Sequence, residues 1–252
     1  MSTPTNNPPC PPNDLEALRL EAVTTCVGFD DILDVTLSLN HPHLDTLIVV
    51  TSHEDKKTQA CAHKHGAVCV QTDLFKKNGR KFNKGAAINS GFGRFQYHGW
   101  RMHLDSDIIL PDNFRRMLFN HTNLDKSCIY GADRVDVIGY KEVHDLRHNV
   151  FHTPQAAYGF RVSPSVNRPI SGRYVDPLRG YVPIGYFQLW YADSQHPYPW
   201  SLGTAAHDDV MFAEQWAMEH RRLLPTGIVY HLNSIQGDIS QNWEGRKSPR
   251  LT

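Results

Sequence analysis

Two aspartates, Asp105 and Asp107, carry the strongest chemical signal in this 252-residue sequence. They directly follow the apolar run WRMHL at residues 100–104, which predicts a strand. Open α/β sheets bind ligands outside the carboxyl ends of their strands, so a site is expected here. Carboxylates at i and i+2 can both reach one Mg²⁺ or Mn²⁺ ion that also binds substrate phosphate oxygens. The alternative is a simple Asp-x-Asp turn that caps the next helix.

A second acidic pair, Asp208 and Asp209, opens a predicted helix about a hundred residues later. A carboxylate in that position can act as a general base that deprotonates an acceptor hydroxyl, which is worth about 10² to 10⁴ in rate. The alternative is that the two charges only complement the dipole at the helix N-terminus.

His231 ends the short apolar run GIVYHL, a predicted strand. Its imidazole could supply a nitrogen ligand to the same cation as the Asp105 and Asp107 pair. The alternative is an ordinary surface histidine at the end of a strand.

The elements that must position these side chains alternate between short strands and helices. This order is typical of an α/β fold with a parallel sheet and right-handed crossovers. Ser52 with Asp55 indicates a helix start, Gly66 a helix end, and Pro111 a first helical turn. The strand and helix pairs are AVTTCVG and DDILDVTLSL, TLIVVT and EDKKTQACAHKHG, AVCVQ and KGAAINSGFGRFQ, and WRMHL and PDNFRRMLF. A strand at IGYFQLWYA, a last helix over HDDVMFAEQWAMEHRR with Phe212, Ala213, Trp216 and Ala217 inward, and the strand GIVYHL follow.

In this order the features resemble the GT-A glycosyltransferases, especially the family 2-like group, over roughly residues 20–232. Residues 84–91 (KGAAINSG) resemble the Asn/Gly helix beside the donor, and Asp105-Ser106-Asp107 resembles the DxD motif. Residues 185–188 (GYFQ) resemble the strand that precedes the acidic pair. The tail also resembles the ending of some phage-encoded members. The resemblance implies a GT-A, Rossmann-like nucleotide-sugar-binding domain with a mainly parallel central sheet.

The resemblance also implies a set of site residues. Asp105, Asp107 and His231 would hold Mn²⁺ or Mg²⁺, and the donor would be a nucleotide-sugar, with a UDP-sugar favoured. The acidic pair is Asp-Asp rather than the commoner Glu-Asp; by position we favour Asp209 over Asp208 as the base. The first strand lacks the usual Pro-x-Tyr/Phe-Asn turn, so uracil contacts stay open. Lys84, Asn89 and Asp105 of these motifs are donor-binding candidates. Further candidates are Thr25, Asp55 and Asp73, as polar residues at or near strand ends, and Arg246 and Lys247 of the tail.

Three segments are predicted along the chain. Residues 1–13 carry five prolines and little to bury, which predicts a flexible leader. Residues 14–232 form the GT-A domain, with an irregular acceptor-side insertion between about 140 and 183. Residues 233–252 form a basic tail in which Arg246, Lys247 and Arg250 could close over the diphosphate, or could simply be solvated.

Composition excludes several classes of protein. Lys+Arg and Asp+Glu both total 26, so no global basic field attracts nucleic acid. Five scattered cysteines without a CxxC pair argue against a disulfide framework and a structural zinc site. His144, His148 and His152 have helical spacing but no further ligand, and Pro154 interrupts them. No run is long enough for a membrane helix, so a cytoplasmic protein with no membrane partner is expected, in host cytoplasm if viral.

The acceptor stays open at this level. It could be a glycan or small molecule, or a hydroxymethylated base in phage DNA. The DNA acceptor needs a positive face, for which the candidates are Arg161, Arg168, Arg173 and Arg179. A glycosyltransferase that retains configuration would use the acidic pair to position substrate rather than as a base. The rival class is a sugar-phosphate nucleotidyltransferase, whose Gly-rich basic loop after the first strand is missing from residues 28–31 (GFDD).

Overall fold

The computed structural model describes residues 18–80, 82–120, 124–138, 174–200 and 204–233, together with Arg246 and Arg250. Within these residues, eight strands form one sheet in the order β3-β2-β1-β4-β9-β6-β10-β5, and two more form the hairpin β7-β8. The strands are β1 Leu20–Thr25, β2 Thr46–Thr51, β3 Val68–Gln71, β4 Trp100–Leu104, β5 Ile108–Ile109, β6 Ile129–Ile138, β7 Tyr174–Asp176, β8 Gly180–Val182, β9 Phe187–Tyr191 and β10 Arg221–Asn233.

Five α-helices connect these strands in the described part of the chain. Side chains of Asp55, Asn83 and Thr204 cap the second, third and fifth helices by accepting main-chain N–H bonds. Gly66, with φ of 69°, follows the second helix in the left-handed conformation that glycine tolerates best. The helices are α1 Asp30–Asn40, α2 Lys56–Lys64, α3 Lys84–Phe92, α4 Phe114–Asn120 and α5 Ala205–Ala213. Short 3₁₀ helices cover His41–His43, Leu74–Gly79 and Met218–His220.

The sheet is mixed but mainly parallel. Strands β3, β2, β1 and β4 run parallel, β9 is antiparallel to both β4 and β6, and β10 runs parallel to β6. Strands β6 and β10 therefore point the same way as β4, and their carboxyl ends lie at the same edge. This edge is where a ligand site is expected in an open α/β sheet.

Both faces of the sheet are covered by apolar side chains. One face packs residues such as Leu20, Met102 and Leu189 against α1, α2 and α4. The other face packs Val23 and Trp190, with their neighbours, against α3 and α5. Because both faces are buried, the central strands read as continuous apolar runs rather than as alternating ones.

The C-terminal third differs from the pattern in the sequence. The predicted last helix ends at Ala213, where the amides of Gln215 and Trp216 bond three residues back and tighten the turn. The following residues from Arg221 join β10, and Ala217, predicted to face inward, is exposed. Strand β10 accommodates a proline through a register shift between residues 223 and 228.

The structure also bears on the predicted start of α4 and on part of the predicted insertion. Helix α4 begins at Phe114, three residues after Pro111. Of the predicted irregular insertion, residues 174–182 form the β7-β8 hairpin, and residues 139–173, which include the three spaced histidines, lie outside the described part. The predicted leader also lies outside it. No helix among the described residues is long and apolar enough to cross a membrane.

Candidate active site

Helix α1 braces the turn that carries the two aspartates of the DxD triplet. Thr36 donates its hydroxyl to the Ser106 carbonyl at 2.8 Å. The buried Asn40 amide donates to the Ile108 carbonyl and accepts from the Leu110 N–H, both at 2.8 Å. These bonds replace water on main-chain groups that would otherwise be buried without partners. The turn is thereby held in one conformation at the carboxyl end of β4.

Strand pairing brings His231 to Asp107. Strand β10 pairs with β5 so that His231 lies opposite Ile108, and the Leu232 N–H donates to the Asp107 carbonyl at 2.8 Å. His231 Nε2 consequently lies 3.3 Å from Asp107 Oδ2. Burial would raise the pKa of Asp107, but His231 and the charge of Arg134 outweigh burial and lower it. Asp107 is thus held as a carboxylate.

Lys84 joins the DxD triplet to the second acidic pair. It opens α3, and its buried ammonium lies 2.8 Å from Asp105 Oδ1 and 3.1 Å from Asp209 Oδ2. Burial alone would lower the pKa of Lys84, but the two carboxylates reverse that effect and raise it. Burial and the Asp107 charge raise the pKa of Asp105, against the opposing Lys84. One buried cation therefore serves two acids that are about a hundred residues apart in sequence.

Asp209, a residue of α5, lies in a buried cluster of polar side chains. The buried Tyr198 hydroxyl donates to Asp209 Oδ1, and the Gln188 amide donates to the Asp209 carbonyl at 2.9 Å. Burial raises the pKa of Asp209 to about 6, with the Asp105 charge adding and the Lys84 and Tyr198 contacts opposing. A Cβ at Gly185 would lie 2.0 Å from the Asp209 carboxylate, so only glycine leaves room for it. The carboxylate is oriented on both oxygens.

Asp208 faces a different partner. Its fully buried carboxylate accepts from Arg80 Nη1 at 2.9 Å, and Arg80 also contacts the α3 cap residue Asn83 at 3.3 Å. The two acids of the pair are therefore separated in role: Asp208 ties α5 to the segment before α3, whereas Asp209 points into the cluster around Lys84.

His103 is a further buried group of the site. Its Nε2 lies 3.6 Å from Asp105 Oδ1, and its Nδ1 lies 3.5 Å from the Tyr198 hydroxyl. Burial and the charge of Lys84 lower the pKa of His103 well below its usual value, so the ring is neutral at physiological pH. It lines the site without adding positive charge.

The predicted donor residues at the ends of β1 to β3 are placed along the same edge. Thr25 is buried at the end of β1. Asp55 accepts from the Thr58 N–H and hydroxyl and from the Gly28 N–H, so its oxygens already have partners within the chain. Asp73 precedes the 3₁₀ helix, and its side chain is 81% exposed. The structure brings none of the three into contact with Lys84.

Two residues of the tail, Arg246 and Arg250, lie at this edge as well. Arg246 forms a two-pronged ion pair with Asp31 at 2.6 and 2.7 Å, donates to the Gly28 carbonyl and stacks over the Phe29 ring at 4.9 Å. Arg250 pairs with Asp30. Both arginines therefore dock on the start of α1, and Lys247 lies outside the described residues.

Asn89, another donor candidate, has a structural partner. Its amide both donates to and accepts from the Tyr198 main chain, each at 2.7 Å. It thereby fixes the tyrosine that holds Asp209. Sequence reasoning gave no role to four members of the site that the fold assembles: Arg80, His103, Gln188 and Tyr198. His103 and Gln188 lie within quoted runs, whereas no local motif marks Arg80 and Tyr198.

Asp107 and His231 are the preformed part of a candidate cation site. Asp107 Oδ1 is buried and has no hydrogen-bond partner among the described residues. A buried carboxylate oxygen without a partner is costly, and a bound cation would satisfy it. Asp105 faces Lys84, and its carboxylate oxygens, those of Asp107 and the ring nitrogens of His231 do not form a set within 4.8 Å of one another. The residues fit a cation that takes one or two carboxylates and completes its shell with phosphate oxygens.

The predicted α/β fold with a mainly parallel central sheet is confirmed, and solved glycosyltransferases of the GT-A type share it. No protein-family model and no curated protein matches the sequence. Solved structures match it over most of its length, at identities that show a shared fold.

Three of the matching structures are a mycobacterial protein and two complexes of one synthase. A mycobacterial protein is 16% identical, with 91% of this chain and 74% of that chain covered and a TM-score of 0.51. Glucosyl-3-phosphoglycerate synthase from Mycobacterium tuberculosis in complex with phosphoglyceric acid is 16% identical, with 91% and 79% covered and a TM-score of 0.50. The same enzyme with Mn²⁺, UDP-glucose and phosphoglyceric acid gives the same four values.

Proposed function

We propose that this chain is a metal-dependent glycosyltransferase that moves a sugar from a nucleotide-sugar, with a UDP-sugar as donor, to an acceptor hydroxyl. The observation that carries the proposal is the convergence of both acidic pairs on one site. Asp105 and Asp209 share the Lys84 ammonium, while Asp107 and His231 form the adjoining cation site. Against the rival class, a sugar-phosphate nucleotidyltransferase, residues 28–31 (GFDD) lack the Gly-rich basic loop expected after its first strand.

The donor's diphosphate lies, in this proposal, between the DxD turn and the start of α1. Asp107, assisted by Asp105 and His231, holds Mn²⁺ or Mg²⁺, which when bound neutralises the charge that develops on the departing diphosphate. Mn²⁺ and UDP-glucose are present in the solved complex of the glucosyl-3-phosphoglycerate synthase, which supports this choice. Arg246, which pairs with Asp31 beside the carboxyl end of β1, covers the edge of the sheet at which the nucleotide would bind.

Asp209 is proposed as the general base. A pKa raised to about 6 keeps it largely ionised at neutral pH and still basic enough to accept a proton from a hydroxyl. Lys84 and Tyr198 hold its two oxygens, so the carboxylate is aimed before the acceptor arrives. A base in this role predicts in-line attack and inversion at the anomeric carbon. In a retaining enzyme the same contacts would only position substrate.

A small hydroxylated molecule is the acceptor class that the comparisons favour. The glucosyl-3-phosphoglycerate synthase complexes contain phosphoglyceric acid, a small phosphorylated hydroxy acid. For a modified-DNA acceptor, the proposed positive face rests on four arginines, of which Arg179 pairs with Glu214 at 3.1 Å. The other three lie outside the described residues. A glycan acceptor uses the same site chemistry.

The experiment is a donor and acceptor matrix read by NMR. UDP-sugars with Mn²⁺ are combined with phosphoglyceric acid, oligosaccharides and hydroxymethylated duplex DNA, and the anomeric configuration of the product is assigned from coupling constants. Transfer with inversion supports Asp209 as the base, and retention assigns the acidic pair to positioning. If DNA is the acceptor, the transfer rate should fall steeply as the salt concentration rises. Turnover of sugar phosphates with nucleoside triphosphates, but of no nucleotide-sugar, would overturn the proposal.

A further inference from the structure

A second cluster of metal-ligating side chains lies between α1 and α2. Asp34 of α1 faces Cys61 of α2 and His65, the residue that ends that helix. Asp34 Oδ1 lies 2.8 Å from His65 Nε2 and 3.9 Å from Cys61 Sγ, and the three ligand atoms all lie within 4.8 Å of one another. It is the one such triplet among the residues that the structure describes.

The spacing within the cluster follows from the helix. Cys61 and His65 are four residues apart, so their side chains project from the same face of α2. That face packs against α1, which supplies the third group. Thiolate, imidazole and carboxylate are the ligand types that zinc takes, and three protein ligands with a water in the fourth position is a common zinc arrangement.

We propose that Asp34, Cys61 and His65 form a site for Zn²⁺ or a similar soft divalent ion, separate from the site at Asp107. The three ligands lock α1 to α2, and Cys61 releases its thiol proton to solvent when the sulfur binds the ion. Cys61 is buried, so the ion has a dry side, while the histidine is 15% exposed and leaves an entry path. The proposal stands whether or not the chain transfers sugars.

Without an ion, Lys64 takes the ion's place. Its ammonium lies 2.7 Å from Asp34 Oδ1, the same oxygen that faces Cys61 and His65. The Lys64 side chain is 64% exposed, so it can swing into solvent at little cost when an ion arrives. The carboxylate thus keeps a cation in either state.

Bound zinc should stabilise the fold, because an ion that binds only the folded state raises the free energy of unfolding. Since α1 carries Thr36 and Asn40, which brace the DxD turn, the site would also fix the helix on which that turn depends.

The test measures zinc affinity in full-length Asp107→Asn protein, which removes the candidate ligand of the other site. Zn²⁺ is titrated in competition with a chromogenic chelator for this parent and for Cys61→Ser, His65→Gln and the control Cys69→Ser, a thiol outside the cluster. We expect Cys61→Ser and His65→Gln each to weaken binding about tenfold or more, and the control to leave it unchanged. His65→Gln keeps the test valid if the buried Cys61→Ser variant fails to fold.

Cobalt supplies an independent signature. Co²⁺ bound to a thiolate gives a near-ultraviolet charge-transfer band, which should be present in the parent and in Cys69→Ser and absent in Cys61→Ser. Equal zinc affinity in the parent and both cluster variants would overturn the proposal. A parent protein with no cobalt–thiolate band, or a band that only Cys69→Ser removes, would overturn it as well.

Discussion

Replacing Lys84 with methionine removes one charge and keeps most of the side-chain volume. The change leaves Asp105 and Asp209 beside each other without the cation that they share at 2.8 and 3.1 Å. Removing one partner of a buried ion pair costs about 3 to 5 kcal/mol. Because the Asp105 side chain is 33% exposed and partly screened by water, we expect a loss near the lower end, about 3 kcal/mol at pH 8.

The loss should depend on pH in a definite direction. Lys84 opposes the rise of the Asp209 pKa, which stands at about 6, so the variant's pKa moves higher still. Above that pKa the unpaired carboxylate is charged and destabilises the variant; below it the carboxyl group takes a proton and the penalty fades. At pH 5 the difference in unfolding free energy should be about 1 kcal/mol or more smaller than at pH 8, since one pKa unit is worth about 1.4 kcal/mol.

Urea unfolding of both proteins at pH 5 and pH 8, with the exposed Lys57→Met as control, measures these values. Lys57 lies on the surface of α2, and its replacement should change stability by less than about 0.5 kcal/mol. The reasoning would be refuted by a Lys84→Met loss under about 1 kcal/mol at pH 8, or by a loss that grows as the pH falls.

The kcat/KM of the wild type should fall below about pH 6, because Asp209 is then protonated. Tyr198→Phe removes a hydrogen bond that lowers the Asp209 pKa, so the acidic fall in kcat/KM should move to higher pH. An unchanged pH profile would contradict the role of the tyrosine. Asn40→Ala leaves the Ile108 carbonyl and the Leu110 N–H buried without this partner, and should lower the free energy of unfolding by about 2 to 4 kcal/mol in thermal or urea unfolding. A loss under about 1 kcal/mol would mean that the DxD turn does not depend on Asn40. Gly185→Ala should abolish sugar transfer, because the added Cβ would lie 2.0 Å from the Asp209 carboxylate. The control Gly93→Ala should keep full activity, because no atom lies within 4 Å of a Cβ added there. Equal activity in the two variants would contradict the geometry.

Local pattern in the sequence was enough to predict the N-terminal half of the fold. Strands β1 to β4 are short apolar runs between helices with recognisable ends, such as the Gly66 stop after α2. Ile88 and Gly91 are three residues apart in α3, a helical spacing that predicts one shared face, and both are buried. The order of motifs also pointed to residues that the structure brings together, with Asp107 beside His231 and Lys84 between the two acidic pairs.

The remainder depended on long-range pairing that local pattern does not encode. Strand β10 begins at Arg221 within a stretch of helical character, because pairing with β6 overrides local propensity. Tyr198 enters the site from an irregular segment, where the Asn89 amide holds its main chain by two hydrogen bonds. Arg80 reaches Asp208 across 128 positions of sequence, a contact for which no motif exists.

Metal-dependent release of UDP from a nucleotide-sugar tests the central claim most directly. Initial rates with UDP-glucose, and with other UDP-sugars if needed, are measured against Mn²⁺ concentration for the wild type, for Asp107→Asn and for Asp193→Asn, an exposed carboxylate outside the site. The account predicts turnover that a chelator abolishes, that Asp193→Asn retains, and that Asp107→Asn loses by at least about a hundredfold. Turnover that is indifferent to chelator and equal in Asp107→Asn would contradict it, as would the absence of turnover for every nucleotide-sugar.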